Sequence, residues 1–167
     1  MPVSDQGVTS DRYTLIPRTL IFLTHENYIL LIKGAPDKRL WANRYNGVGG
    51  HIERGEDVLS AARRELFEET GLSPADLWLC GTITIDTGEN PGIGIYVLRG
   101  ECLDKKNQES QEGTLEWIPL NQVLNLLLVE DLPTLLPKVL VSDKEAAPFS
   151  AIYCYDSEGN LQIKFGE

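Results

Sequence analysis

The chain contains 167 residues and carries a formal net charge of −10, with a sequence pI of about 4.7. This length suits one domain with a core of its own, so residues 1–167 are predicted to form a single domain. The acidic charge argues against binding to a nucleic-acid duplex, because that requires arrays of Lys and Arg. No apolar run approaches the ~18 residues of a membrane span, and the widely spaced Cys80, Cys102 and Cys154 favour reduced thiols in a cytoplasmic protein.

The first half of the chain predicts two strands followed by a helix. Residues 18–24 and 28–33 are rich in β-branched and apolar side chains and predict strands joined by a tight turn. Residues 57–70 contain good helix formers, with Asp57 at the N-cap position and Gly71 just past the end. This segment is therefore predicted to be the central helix of the domain.

The second half predicts more strands and two late helices. Strands are predicted, with a glycine bulge at Gly81, at residues 77–85, 92–98, 114–118, 148–155 and 161–165. Helices are predicted at 120–128 and 131–141, where Pro133 suits a first helical turn. The last two strands and the turn between them predict a C-terminal hairpin. The whole succession predicts an α/β (α+β) fold.

Three glutamates share one face of the predicted central helix. Glu65, Glu68 and Glu69 stand at positions i, i+3 and i+4, where like charges cost roughly 0.2–0.5 kcal/mol per pair. A hard divalent cation such as Mg²⁺ would remove this repulsion while keeping water and substrate phosphates in its other positions. The alternative is a solvated acidic face that is neutralised by Arg63 and Arg64.

Glycines precede this helix, so that the backbone can approach a ligand closely. Residues 50–72 match the pattern Gly-x5-Glu-x7-Arg-Glu-Leu-x-Glu-Glu-x-Gly-Leu at every fixed position. The match resembles the signature of the Nudix hydrolases, which cleave nucleoside diphosphates linked to another moiety. The resemblance implies an α/β/α sandwich with a mixed sheet over about residues 15–140. A flexible lead-in at 1–12 and the C-terminal hairpin at 146–167 lie outside that core.

The resemblance also implies a metal site. Nudix hydrolases hold a divalent cation at the signature helix, which implies Mg²⁺, with Mn²⁺ as a substitute, as the cofactor of this chain. The implied protein ligands are Gly49, through its backbone oxygen, Glu65, Glu68 and Glu69. A further acid usually comes from a loop across the sheet, and Glu112 stands in the corresponding place, with Glu109 as the second choice. For Glu112 a plain solvated loop residue is the alternative.

Hydrolysis requires water to attack a phosphorus atom that anionic oxygens shield. Metal ions neutralise those oxygens and acidify the water, and a carboxylate removes its proton. Either Glu69 or Glu112 could be that general base. Glu56 and Arg64 are expected to brace the loop and the helix through charged hydrogen bonds.

A locally basic segment follows the second predicted strand in this acidic chain. It contains Lys33, Lys38, Arg39 and Arg44. One interpretation is an arm that meets the phosphates of a substrate, with Lys33 as a substrate-binding residue. The alternative is a solvated loop whose charges serve solubility.

Residues 45–50 resemble the Trp-Asn-Gly-Phe-Gly-Gly run of the oxidised-purine nucleoside triphosphatases, in which the Asn contacts the base. Asn46 takes that place, because an amide both donates to and accepts from a purine edge; a turn-forming role is the alternative. Glu130 and Asp131 stand close to the Asp pair of that subgroup, with helix capping as the alternative. Leu128 or Val129 replaces the stacking Trp that precedes the pair.

The expected function is hydrolysis of a nucleoside polyphosphate to the monophosphate and pyrophosphate. The expected substrate is a small molecule, a purine or oxidised purine (d)NTP such as 8-oxo-dGTP. Alternatives are a Nudix hydrolase of ADP-ribose or a dinucleotide, and a Nudix-like module that senses a nucleotide without hydrolysing it. The marks of the ADP-ribose and dinucleotide subgroups are missing at residues 87–90. The chain is expected to act as a monomer or homodimer away from membranes.

Overall fold

A computed structural model describes residues 2–7, 9, 11–74, 76–106, 110 and 113–166. The strands are β1 (Leu15–His25), β2 (Tyr28–Gly34), β3 (Tyr45–Asn46), β4 (Asp76–Ile85), β5 (Gly92–Glu101), β6 (Gly113–Pro119), β7 (Phe149–Tyr155) and β8 (Leu161–Phe165). The α-helices are α1 (Val58–Thr70) and α2 (Leu132–Val141), and short 3-10 helices cover Val3–Gln6 and Val123–Asn125. The predicted strands and both the central and the last helix are therefore confirmed, and β3 is an addition.

All eight strands belong to one mixed sheet. Seven follow the order β3-β2-β1-β5-β4-β7-β8, and β6 pairs with β2. The β1–β5 and β4–β7 pairs are parallel, whereas the other pairs are antiparallel. The C-terminal hairpin thus extends the central sheet through β4. Neither α1 nor α2, nor any other helix in the described part of the chain, has the length and apolar character needed to span a bilayer.

Alternation along β1 explains why helices cover both faces of the sheet. Successive side chains of a strand point to opposite faces. Ile21 and Leu23 lie in the buried cluster that contains Leu66 of α1, whereas Phe22 lies in the cluster that contains Leu135 of α2. The sandwich of helix, sheet and helix that the family resemblance implies is confirmed.

Both ends of α1 follow from its sequence. The Asp57 carboxylate accepts hydrogen bonds from the N–H groups of Leu59 at 2.9 Å and Ser60 at 3.0 Å, so it satisfies donors that the first turn leaves open. Gly71 adopts φ 71°, and its N–H donates to the Phe67 carbonyl at 2.9 Å. Glycine takes this left-handed conformation without strain, which ends the helix just after Thr70.

The helix predicted at 120–128 is wrong, because only Val123–Asn125 forms a 3-10 turn there. The Tyr45 N–H donates to the Leu127 carbonyl at 2.9 Å, and the Val129 N–H donates to the Tyr45 carbonyl at 3.0 Å. These backbone groups are therefore paired with β3 and not within a helix. The apolar run that indicated a helix is instead an irregular connection beside β3, in which Val123 and Leu128 are buried and Leu124 and Leu127 are more than half exposed.

The bulge predicted at Gly81 is confirmed by the pairing of β4 with β5, whose register shifts between Leu79 and Gly81. A Cβ atom at Gly81 would overlap the ring of Phe149 on β7. Glycine at this position lets the hairpin pack closely on β4.

Candidate active site

Arg64 organises the acidic face of α1. Its Nε and Nη2 atoms donate to both oxygens of Glu56 at 2.7 and 2.9 Å, a bidentate pair. Its Nη1 atom donates to Glu65 at 2.8 Å and to Glu68 at 3.2 Å, and Nη2 also donates to the His51 carbonyl at 3.1 Å. One guanidinium thus connects the helix to the loop that precedes it.

The charges in this network stabilise one another. The hydrogen bonds from Arg64, followed by that from the Glu53 N–H, lower the pKa of Glu56 from 4.5 to about 2. The hydrogen bonds to Glu56 and then to Glu65 raise the pKa of Arg64 above its usual range. The bracing role predicted for Glu56 and Arg64 agrees with these contacts.

The glycine loop lies directly against the helix acids. A Cβ atom at Gly50 would come 2.5 Å from an oxygen of Glu65, so any larger residue would displace that carboxylate. Gly49 has φ 149°, and a Cβ there would overlap the Thr19 carbonyl of β1. The loop is fixed to β1 through the Thr19 N–H, which donates to the Gly50 carbonyl at 2.8 Å.

The oxygen donors around this loop suit a hard divalent cation. Glu69 borders the same cleft as Gly49, and no hydrogen bond among the described residues uses the Gly49 carbonyl. The side chain of Glu68 is 57% exposed and that of Glu65 14%, and both contact Arg64. In the described part of the chain no three acidic, His or Cys residues already converge as a metal cage. A bound cation would therefore compete with Arg64 for Glu65 and Glu68.

A cleft of about 320 Å³ opens beside this face. Its described lining residues are Arg18, Ile32, Gly34, Lys38, Arg39, Leu40, Trp41, Arg44, Asn46, Gly47, Gly49 and Glu69. Four of them are cationic, in a protein of net charge −10. Such a concentration of positive charge attracts phosphates. Arg18 and Trp41 were not predicted as site residues. The sequence shows Arg18 only as a charged residue in a strand, and Trp41 only as an aromatic residue within a basic segment.

Only some of the residues that were predicted to contact the base or the phosphates border the cleft. Asn46 borders the cleft, and its Oδ1 accepts from the Gly47 N–H at 2.8 Å, so the predicted turn-forming role is also observed. Lys33 does not border the cleft; its ammonium lies 5.5 Å from the ring centroid of Tyr45. Glu109 and Glu112 lie outside the described residues.

Glu130 and Asp131 lie at the start of α2 and are not among the residues that border the cleft. Asp131 precedes the helix, but its side chain makes no capping hydrogen bond. Burial raises the pKa of Asp131, and the charge of Glu130 adds to the effect. Burial and then the Asp131 charge raise the pKa of Tyr153 on β7, whose buried hydroxyl makes no hydrogen bond of normal geometry with the described residues.

Fold and signature together define a class of protein. A family model for the NUDIX domain matches residues 14–139, which is most of the chain. The chain belongs to the Nudix family. It is a hydrolase that acts on phosphoanhydride bonds, and hydrolases of this family generally use divalent metal ions.

Within the family, the chain is similar to proteins called "Oxidized purine nucleoside triphosphate hydrolase". It is 30% identical to those of Danio rerio and Mus musculus over 106 residues, 63% of this chain and 67% of each relative. The crystal structure of a mutator MutT protein from Bacillus halodurans superposes with a TM-score of 0.76, at 22% identity over 90% of this chain and 97% of that one. The NUDIX domain of Shewanella oneidensis NrtR, solved with ADP ribose, reaches a TM-score of 0.66 at 15% identity over 83% and 96% of the two chains. At these identities the two structures show the shared fold alone.

Proposed function

We propose that the protein hydrolyses a purine or oxidised purine nucleoside triphosphate, such as 8-oxo-dGTP, to the nucleoside monophosphate and pyrophosphate, with Mg²⁺ as cofactor. One observation carries the proposal: Glu69 and Gly49 of the metal side and Asn46 of the base side border the same cationic cleft. The two 30% identical relatives, named for oxidised purine nucleoside triphosphates, support the choice of substrate.

Each residue of the signature has a chemical task in this proposal. Glu65, Glu68, Glu69 and the Gly49 carbonyl would hold Mg²⁺, and Mn²⁺ could replace it because the donors are hard oxygens. When bound, the cation would neutralise the phosphate oxygens and acidify the attacking water. Glu69 or Glu112 would accept the proton of that water.

Cations of the protein complete the phosphate site. Arg18 borders the cleft from β1, and its planar guanidinium can donate two parallel hydrogen bonds to a phosphate. Arg64 keeps Glu56 ionised and fixes the loop of Gly49 against the helix. The ammonium group of Lys33 lies over the ring of Tyr45, next to Asn46.

The base is recognised by groups that the fold brings together at β3. Asn46 uses its Oδ1 for the turn, and no hydrogen bond among the described residues uses its Nδ2, which can donate to a purine acceptor. The Val129 N–H is bonded to the Tyr45 carbonyl, so Glu130 and Asp131 follow within two residues of this strand. Glu130 and Asp131 are proposed as further polar contacts of the base, and burial raises the pKa of Asp131.

The test is a nucleotide screen with Mg²⁺ that reads phosphate and pyrophosphate separately. The panel contains 8-oxo-dGTP, dGTP, dATP, a pyrimidine triphosphate, ADP-ribose and a dinucleoside polyphosphate. We expect pyrophosphate release from purine triphosphates, with 8-oxo-dGTP giving the highest kcat/KM, and no turnover after chelation. Hydrolysis confined to ADP-ribose or the dinucleoside polyphosphate would show that this compound, and not a purine triphosphate, is the substrate. Binding of nucleotides without hydrolysis would show that the protein is a sensor.

A further inference from the structure

The segment that joins β2 to β3 is a closed loop. The Gly34 N–H donates to the Arg44 carbonyl at 3.0 Å, and the Asn43 N–H donates back to the Gly34 carbonyl at 3.0 Å. Inside the loop, the Arg44 N–H donates to the Trp41 carbonyl at 3.0 Å. A Cβ at Gly34 would come 2.6 Å from that same carbonyl, so only glycine lets the loop close.

Trp41 occupies a strained position at the tip of this loop. Its φ is 60°, in the left-handed region, which a bulky side chain rarely adopts. Such strain persists only where the surrounding structure imposes it, and it is concentrated at functional sites. Although the backbone is held firmly, the side chain of Trp41 remains 49% exposed.

Trp41 borders the candidate active site. Trp41 lies in the cleft with Asn46 and Glu69, and it is the one aromatic residue among the described residues that line it. The Arg44 Nη1 atom donates to the Leu128 carbonyl at 2.9 Å, which fixes the loop to the segment ahead of α2. The loop therefore holds Trp41 at a defined place in the lining of the cleft.

The segment ahead of α2 offers no aromatic surface of its own. Leu128 and Val129 stand where the resembled subgroup has its stacking Trp, but they are only 5% and 4% exposed and belong to the core. A base in the cleft cannot lie flat on either side chain. Trp41 comes from a different strand connection and supplies a π surface.

We propose that Trp41 is the base-stacking residue of this enzyme, so that the 34–44 loop determines how firmly the nucleoside part of the substrate is held. The inference rests on the proposed function, because it assigns a contact within the same site. Stacking on an indole tolerates every base. The loop therefore contributes affinity for nucleosides in general, and hydrogen bonds such as those of Asn46 contribute the choice among bases.

Three variants and a competitor separate stacking from loop shape. Trp41→Asn removes the ring but keeps a residue that tolerates left-handed backbone, and Trp41→Phe keeps a ring. Leu124→Asn is the control, because Leu124 is a similarly exposed apolar residue outside the cleft lining. We expect Trp41→Asn to raise KM for nucleoside triphosphates by about tenfold, with kcat within about twofold. Trp41→Phe and Leu124→Asn should stay within about threefold of wild-type KM.

Inorganic triphosphate, which has no base, serves as the competitor. Its inhibition constant should be the same in wild type and Trp41→Asn. An unchanged KM for nucleotides in Trp41→Asn would overturn the inference, and so would equal losses for nucleotides and inorganic triphosphate, because these would indicate a loop-shaping role.

Tryptophan fluorescence tests stacking without hydrolysis. Nucleotides should quench the emission of the wild type, and the quenching should disappear in Trp41→Phe, which retains Trp78 and Trp117. Inorganic triphosphate should quench neither protein. If the wild type binds nucleotides with this quenching but hydrolyses none, the proposed function fails and the stacking role stands. If nucleotides are hydrolysed and quenching persists in Trp41→Phe, the stacking role fails and the proposed function stands.

Discussion

One group of acidic residues lies on α1 and another lies just ahead of α2, and the charges next to the two groups differ in sign. On α1, Glu65 and Glu68 share the guanidinium of Arg64, which also pairs with Glu56 in the loop before the helix. Ahead of α2, burial opposes the ionisation of Asp131, and the charge of Glu130 adds to that opposition. The pKa of Glu56 is accordingly lowered to about 2, whereas the pKa of Asp131 is raised.

This difference shows that the fold places carboxylates in two kinds of surroundings. Glu65 and Glu68 contact the guanidinium of Arg64, and Glu69 of the same helix borders the cleft. Asp131 lies beside Tyr153 on β7, and burial raises its pKa because it disfavours the charged form. Residue type alone does not distinguish the two groups.

The largest effect is expected from Glu69→Gln, which removes a charge from the α1 group at nearly constant shape. We expect kcat to fall by at least about 100-fold, because a metal ligand or general base is lost. The melting temperature should stay close to that of the wild type. Glu145→Gln, at an exposed acid after α2, is the control and should leave kcat unchanged. Full turnover by Glu69→Gln would remove this residue from the site.

The Glu112→Gln variant tests whether an acidic residue from outside α1 acts together with Glu65, Glu68 and Glu69. If Glu112 is a ligand or base, kcat should fall by about tenfold or more with little loss of thermal stability. A base role predicts in addition that higher pH restores part of the rate, because hydroxide becomes available. A normal kcat here with a large loss in Glu109→Gln would transfer the role to Glu109. Normal rates in both would leave Glu69 as the base.

Substitutions at Asn46 separate base recognition from loop shape. Asn46→Ala removes both the amide donor and the oxygen that accepts from the Gly47 N–H, whereas Asn46→Asp keeps the oxygen. We expect both variants to raise KM for purine triphosphates about tenfold, because each lacks the Nδ2 donor. The inhibition constant of inorganic triphosphate is the comparison. If only Asn46→Ala weakens binding, and does so for both purine triphosphates and inorganic triphosphate, Asn46 shapes the loop and does not recognise the base.

Asp131→Asn should stabilise the protein at neutral pH. The folded-state pKa of Asp131 lies above the ordinary 3.8, so stability that is fully present below pH 3.8 is lost as the pH rises through the raised pKa. The amide has no charge and escapes this loss. The melting temperature of Asp131→Asn should therefore exceed that of the wild type at about pH 7 by more than at about pH 3.5. A constant difference would show that the desolvated charge of Asp131 is not responsible.

Glu56→Gln should have the opposite and smallest effect on stability, because Glu56 and Arg64 both keep contact with water, with 22% and 29% of their side chains exposed. Its pKa falls from 4.5 to about 2 on pairing with Arg64, so its contribution is present above pH 4.5 and is lost as the pH falls towards about 2. Denaturant unfolding should find Glu56→Gln less stable than the wild type at about pH 7 and equal to it near pH 2. A deficit that persists at low pH would indicate packing and not charge.

The sequence by itself determined α1 and its acidic network. Asp57, Gly71 and the spacing of Glu65, Glu68 and Glu69 act within a few residues of one another, and Arg64 reaches its described partners between residues 51 and 68. Interactions between residues so close in the sequence can be predicted from the local residue pattern. The strands can also be predicted from the local sequence, because their successive side chains point to opposite faces of the sheet.

Only the tertiary structure decided the segment ahead of α2 and the 34–44 loop. An apolar run such as 120–128 suits a helix or an irregular connection equally, and the hydrogen bonds of Leu127 and Val129 with Tyr45, more than 80 residues earlier, select the connection. The neighbours of Asp131 come from β7, and the left-handed backbone of Trp41 depends on the closure of its loop. These features follow from contacts between distant segments, because burial and pairing partners are defined only once the chain has folded.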